Sequence, residues 1–150
     1  MDIHAIATAI ATRFSSANVT PPSGYKNIAL ATAELPNALT SLPAVLVFPP
    51  DGSWGFNAGA ARTGDLTFDV RVFLGPMMDN GRNAAMVNKW HSKLIEQLIG
   101  QLALGQSLNG VTHSFITSSR SGIIEYADIQ YVGIEFEVNV HLVEGINPSQ

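Results

Sequence analysis

YVGIEFEVNVHLVE, residues Tyr131–Glu144, is the longest clean alternation of apolar and polar side chains in the sequence. One parity is apolar and comprises Val132, Ile134, Phe136, Val138, Val140 and Leu142. The other parity comprises Gly133, Glu135, Glu137, Asn139 and His141. Successive side chains of a β-strand point to opposite faces, so the pattern predicts a strand with one buried and one solvated face. We expect it to be a central strand of an antiparallel sheet.

Two further stretches have the periodicity of amphipathic helices. In Ile3–Phe14 the apolar residues recur three and four positions apart, and Asp2 is in place to cap the helix. Arg82–Leu104 carries an apolar stripe over more than five turns and is predicted to be the main helix.

The remaining strand candidates flank these helices. Pro43–Pro50, PAVLVFPP, is a continuous apolar run bounded by prolines and predicts a strand that is buried on both faces. Asp65–Leu74 alternates like the final strand. Tyr25–Ala33, Val111–Ser118 and Ile123–Asp128 are weaker candidates, and Ser119–Gly122 is predicted to be a turn.

This order of elements decides the fold class. Helices and strands in the order helix, strands, helix, strands, with tight turns between strands, favour an α+β fold. We expect a largely antiparallel, mixed β-sheet packed by two helices on one face. A chain of 150 residues is near the usual size of one domain. Residues 1–150 are therefore predicted to form a single domain, with a flexible C-terminal tail at about 145–150.

Composition excludes several classes of function. Charged residues make up 13%, about half of what soluble domains usually carry, which favours a surface partly hidden between subunits. The net charge of −4 disfavours a protein that grips nucleic acid by its phosphates. Absence of cysteine excludes disulfides and thiolate metal sites. No apolar run approaches the roughly 20 residues of a membrane span.

Sequence motifs for catalysis are missing. Gly59–Gly64 has the glycine spacing of a phosphate-binding loop, but Asp65-Leu66 stands where lysine and a hydroxyl residue are required. Glu135, Glu137 and His141 share the polar face of the final strand, where neighbours two apart are about 6.6 Å apart. They could serve a metal or substrate, or simply form a solvated or inter-subunit face. The other histidines, His4, His91 and His113, lie on different elements without ligand spacing.

Two segments are candidates for contact with other molecules. Asp51–Gly64 is rich in glycine and alanine, lacks periodicity and is predicted to be a long loop, of the kind that often carries function. Its aromatic residues Trp54 and Phe56 either fold back onto the domain or meet a partner. Arg120 lies in the predicted Ser119–Gly122 turn.

Taken together, the elements resemble the tail terminator family of long-tailed, siphovirus-like bacteriophages. The similarity covers the helix at Ile3–Phe14, the LPAVLVFP strand at Leu42–Pro49 and the alternating strand Leu66–Leu74. It continues through the helix Arg82–Leu104 and the ending EYADIQYVGIEFEVNVHLVE at Glu125–Glu144.

The resemblance implies a structural virion protein without catalytic residues, cofactors or metals. It implies a homo-oligomer, a hexameric ring in the neck at the head-proximal end of the tail, assembled in the host cytoplasm. One ring face would stack on the major tail tube protein and end its polymerisation, and the other would join the head-completion proteins. DNA would pass through the lumen without specific binding, and no membrane would be involved. By position, the candidate inter-subunit or tube contacts are Trp54, Phe56, Arg62, Arg120, Glu135 and Glu137.

Two alternatives remain open from the sequence. Within phage particles, tail-tube and head-closure or connector proteins share overlapping architectures. In a different class, a small ligand-binding or enzymatic α+β domain would use the face with Glu135, Glu137 and His141.

Overall fold

The computed structural model describes residues 3–56, 61–77, 81–98 and 111–145. The proposed cap Asp2, residues 99–104 of the predicted main helix and the tail 146–150 lie outside them. Elements in chain order are α1 (Ile3–Arg13), β1 (Leu30–Thr32), β2 (Ala44–Val47), β3 (Asp51–Phe56), β4 (Ala61–Pro76), α2 (Gly81–Leu98), β5 (Val111–Tyr126) and β6 (Ile129–Gly145).

Six strands form one mixed sheet, in the order β1-β2-β4-β6-β5, with β3 also paired to β4. β2 and β3 pair with different parts of β4 on the edge opposite β6. The β1–β2 pair is parallel and all other pairs are antiparallel. The prediction of an α+β fold with a largely antiparallel sheet is therefore confirmed.

The main core lies between the sheet and both helices. The apolar parity of β6, from Val132 to Leu142, is buried as the alternation predicted. Phe14, which follows α1, places its ring 5.6 Å from that of Phe136, and Trp90 of α2 is buried in the same cluster. Both helices thus cover one face of the sheet, because that face carries the unbroken apolar rows of β4 and β6.

A smaller apolar cluster occupies one end of the opposite face. It consists of Leu46, Phe73, Ile124 and Tyr131, with Leu39, Leu42, Phe48 and Tyr126 packed against it. The connection between β1 and β2 reaches this cluster, where the Tyr126 hydroxyl donates a hydrogen bond to the Pro36 carbonyl. Since β2 contributes side chains to both clusters, all four of its residues are buried, as predicted for Pro43–Pro50.

Two sequence predictions are wrong. Asp51–Gly64 is not one long loop, because Asp51–Phe56 forms β3 and residues 61–64 already belong to β4. Ser119–Gly122 is not a turn but the middle of β5, paired with β6. Serine and glycine favour turns locally, but pairing along a long neighbouring strand overrides that preference. The chain reverses instead at Ala127 and Asp128, both with positive φ.

Candidate interaction surface on the open face of the sheet

The face of the sheet opposite the helices is mainly polar beyond the small apolar cluster, although it includes the exposed Phe115 of β5. Successive side chains of a strand point to opposite faces, so residues of β3, β4, β5 and β6 that are not used in the main core converge here. We call this area the polar sheet face. Its members are Asp51, Asp65, Thr67, Asp69, Arg71, His113, Ser118, Arg120, Glu135, Glu137, Asn139 and His141, assigned from the strand register.

One row across this face is held by ion pairs. Arg71, Glu135 and Arg120 lie directly opposite one another on β4, β6 and β5. The Arg120 guanidinium is 2.6 Å from a Glu135 carboxylate oxygen, and Arg71 Nε is 3.8 Å from the other oxygen. Arg71 also pairs with Asp69 at 2.9 Å and places its guanidinium 4.5 Å from the centre of the Phe48 ring. Glu135 is therefore the centre of a four-residue charge network.

The next row combines like charges. Asp69 of β4 is directly opposite Glu137 of β6, and Ser118 of β5 follows. Like charges in directly opposed positions of a sheet destabilise it. This row borders a shallow cleft of about 370 Å³. The cleft is lined by Pro49, Asp51, Thr67, Asp69, Ser118, Ser119, Arg120, Glu135 and Glu137.

A third row carries two histidines. Asp65, His141 and His113 are register partners across β4, β6 and β5. His141 Nδ1 is 2.9 Å from Asp65 Oδ1, and the rings of His141 and His113 are stacked with centroids 4.9 Å apart and an interplanar angle of 12°. The ring orientation of His141 is thus fixed from both sides.

The structure brings some of the predicted site residues together and separates others. Arg120, Glu135 and Glu137 lie side by side on the polar sheet face. Glu137 and His141 lie four residues apart on one strand, about 13 Å, which is too far to share one metal ion. Within residues 3–56, 61–77, 81–98 and 111–145, no group of three or more His, Asp or Glu could hold a metal.

The other predicted contact residues lie on the β3–β4 hairpin. Trp54 is the register partner of Gly64, and Phe56 is the partner of Arg62. The backbone therefore places all three predicted contacts in strands rather than in a loop. Their side chains are outside the described part of the structure.

Residues of β4 were missed as site candidates. Asp65, Asp69 and Arg71 make most of the ion pairs on the polar sheet face. The signal was available, because these charges recur on the polar parity of the Asp65–Leu74 alternation. His91 is half-buried on the helix side, where Nε2 is 2.8 Å from the Ser119 hydroxyl.

Comparison of the chain with protein-family models and with curated proteins finds no match. Among the described helices, neither α1 nor α2 is long and apolar enough to span a membrane. The polar sheet face suits recognition of another charged surface, because it is broad and shallow and its charged side chains form ion pairs.

Proposed function

We propose that the protein is a structural subunit of a ring that caps the tail tube of a long-tailed bacteriophage. The ring ends tube polymerisation and offers a docking surface to head-completion proteins. The proposal is supported by the order and lengths of the elements, which resemble those of tail terminators. The expected helix, paired-strand and long-helix sequence folds as one α+β sheet with its helices on one face.

The observation that carries the proposal is the character of the polar sheet face. Small-molecule sites are usually concave and largely apolar. The cleft here is lined by nine residues, of which Pro49 is the single apolar one, and two of its four carboxylates, those of Asp69 and Glu135, form ion pairs with arginine. Such a surface favours contact with a macromolecule over capture of a metabolite. A structural subunit that meets several proteins needs surfaces of this kind.

Tube capping is tested with a polymerising major tail tube protein. We expect the protein, added in substoichiometric amounts, to shorten the tubes seen by negative-stain electron microscopy and to appear as a cap at one end. Long cylinders formed by the protein alone would identify a tube subunit instead. Tubes of unchanged length without caps would contradict the proposal.

The charge of the chain is compatible with a ring through which DNA moves. At a net charge of −4, phosphate binding has no general electrostatic support. We expect no retardation of duplex DNA by the assembled ring at physiological salt. Stabilisation of the protein by an added metal ion or metabolite in a thermal melt would instead favour the ligand-binding alternative, since ligands that bind the native state raise Tm.

A further inference from the structure

Charged residues are distributed unequally between the two sides of the sheet. Among the described residues, the polar sheet face carries five carboxylates against two guanidinium groups, apart from its histidines. The carboxylates are those of Asp51, Asp65, Asp69, Glu135 and Glu137, and the guanidinium groups are those of Arg71 and Arg120. This side of the molecule is therefore acidic overall.

One groove on the helix side is basic overall. Lys89 and Lys93 lie on α2 and border a groove of about 390 Å³ together with Pro22, Ser23, Asn88, Ser92 and Glu96. Lys89 Nζ lies 5.6 Å from the centre of the Tyr25 ring. We call Lys89 and Lys93, with the groove that they border, the basic helix surface. Of the described residues that line its groove, Glu96 is the one acidic residue.

The acidic side contains a built-in unfavourable contact. Asp69 and Glu137 are direct register partners, and both line the cleft. Arg71 binds Asp69, so part of this repulsion is neutralised within the chain. Glu137 is exposed at the rim, where a cation supplied from outside would relieve the remainder.

We propose that the polar sheet face of one copy binds the basic helix surface of the next copy. This inference rests on the proposed ring function and names its subunit interface. The two surfaces are on opposite sides of one sheet, so the contact is heterologous and repeats head to tail from copy to copy instead of closing a two-fold dimer. The proposed ring requires in addition that the rotation between successive copies closes. Charge complementarity identifies the partner as a second copy of this chain, because the chain carries both the acidic polar sheet face and the basic helix surface.

The first test measures self-association at low and high ionic strength by light scattering after size exclusion. We expect the wild-type protein to associate at low salt and to dissociate as salt screens the contact. Glu137→Lys and Lys89→Glu should each weaken association by at least about tenfold, because each places like charges across the interface. Glu125→Lys, the same charge change outside both clefts, is the matched control and should leave association unchanged.

A thermal melt separates this role from a structural one. Glu137→Lys removes the repulsion with Asp69, so its monomer should be at least as stable as wild type while it associates less. A merely structural role of Glu137 would lower Tm and leave association intact.

An equimolar mixture of the Lys89→Glu and Glu137→Lys variants gives the decisive result. The carboxylate introduced at position 89 of one copy would face the ammonium group introduced at position 137 of the next. The remaining contacts would be native, so alternating copies should assemble although neither variant does so alone. A mixture that stays dissociated, or a wild-type protein that is monomeric at low salt, would overturn the inference.

Crosslinking distinguishes failure of this interface from failure of the proposed function. A carbodiimide joins lysine to carboxylate without a spacer. In a mixture of isotopically labelled and unlabelled wild-type protein, we expect inter-copy links between Lys89 or Lys93 and Asp69 or Glu137. Rings that cap tubes but lack these links would refute the interface and leave the proposed function standing. Wild-type assemblies that carry the links but cap no tubes would support the interface and refute the proposed function.

Discussion

At the scale of single residues, Gly133 has the strictest steric requirement on β6. It is buried and pairs with Phe73 at the point where the β4–β6 register shifts. A Cβ added here would overlap the Val72 carbonyl oxygen and lie 3.1 Å from Ile124 Cδ1. Backbone cannot move aside cheaply, so Gly133→Ala should lower the free energy of unfolding by about 3 kcal/mol or more. Urea denaturation followed by circular dichroism measures this loss.

Gly122 is a matched control for that substitution because it is the register partner of Gly133 on β5. A Cβ at Gly122 would have no neighbour within 4 Å. Gly122→Ala should leave stability unchanged or raise it by about 0.5 kcal/mol, since alanine loses less backbone entropy in a strand. Equal effects at the two positions would show that the close approach to Val72 is not what selects glycine.

The β5–β6 turn places an alanine in an unfavourable conformation. Ala127 and Asp128 have φ values of 51° and 65°. A two-residue hairpin with both φ values positive favours Asn-Gly, and alanine has a steric cost there. Ala127→Asn should therefore raise the free energy of unfolding by about 0.5–1 kcal/mol. Ala127→Val should lower it, because β-branched residues are poorly tolerated at positive φ. Thermal melts of both variants should shift in opposite directions.

At the scale of elements, β4, β5 and β6 are coupled through the carboxylate of Glu135. Its side chain is 24% exposed, that of Arg71 is 30% exposed and that of Arg120 is 78% exposed. Glu135→Gln should cost about 1 kcal/mol, and the difference from wild type should shrink at about 1 M salt. Arg120→Ala should cost less than about 0.5 kcal/mol, because its charge is mostly solvated. Urea titrations at low and high salt would contradict this scheme if Arg120 proved the more costly loss.

Elements whose burial differs between faces were predictable from the sequence. The alternations of β6 and of Asp65–Leu74 fixed both faces of the two interior strands, and the spacing of apolar residues fixed α1 and most of α2. β3 and the middle of β5 were not predictable by this means. The middle of β5 is small or polar on both parities, and β3 carries Trp54 and Phe56 among small and polar residues. Both become strands because β4 and β6 extend beside them. Local pattern carries no record of such pairing.

The candidate site was likewise predictable in part: its residues could be identified from the sequence, but not the pairing of its strands. Glu135, Glu137 and Arg120 were identified from the sequence, but Arg120 was assigned to a turn. Its ion pair with Glu135 depends on the register of β5, which includes a shift between Ile116 and Ser118. A single irregular position of this kind changes which side chains are opposite, and nothing in the residues around it specifies the shift.

At the scale of the whole molecule, two apolar clusters lie on opposite faces of one sheet and share its strands. β4, β5 and β6 contribute to both clusters, so loss of one should destabilise the other. We therefore predict a single cooperative unfolding transition, as expected for one domain over residues 1–150. Two transitions would indicate that the clusters are independent units.

Phe14 tests this coupling from the helix side. It is fully buried and its ring contacts Phe136, far from the Tyr126 hydroxyl on the opposite face. Phe14→Ala should cost about 3–5 kcal/mol through the cavity it leaves. Hydrogen exchange should rise equally for the amides of α1 and for those beside Tyr131, because global opening exposes both clusters. Phe115→Ala, at a 39% exposed position on β5, should change neither. Faster exchange confined to α1 would mean that the helix side opens locally and that the cluster on the opposite face of the sheet is not destabilised.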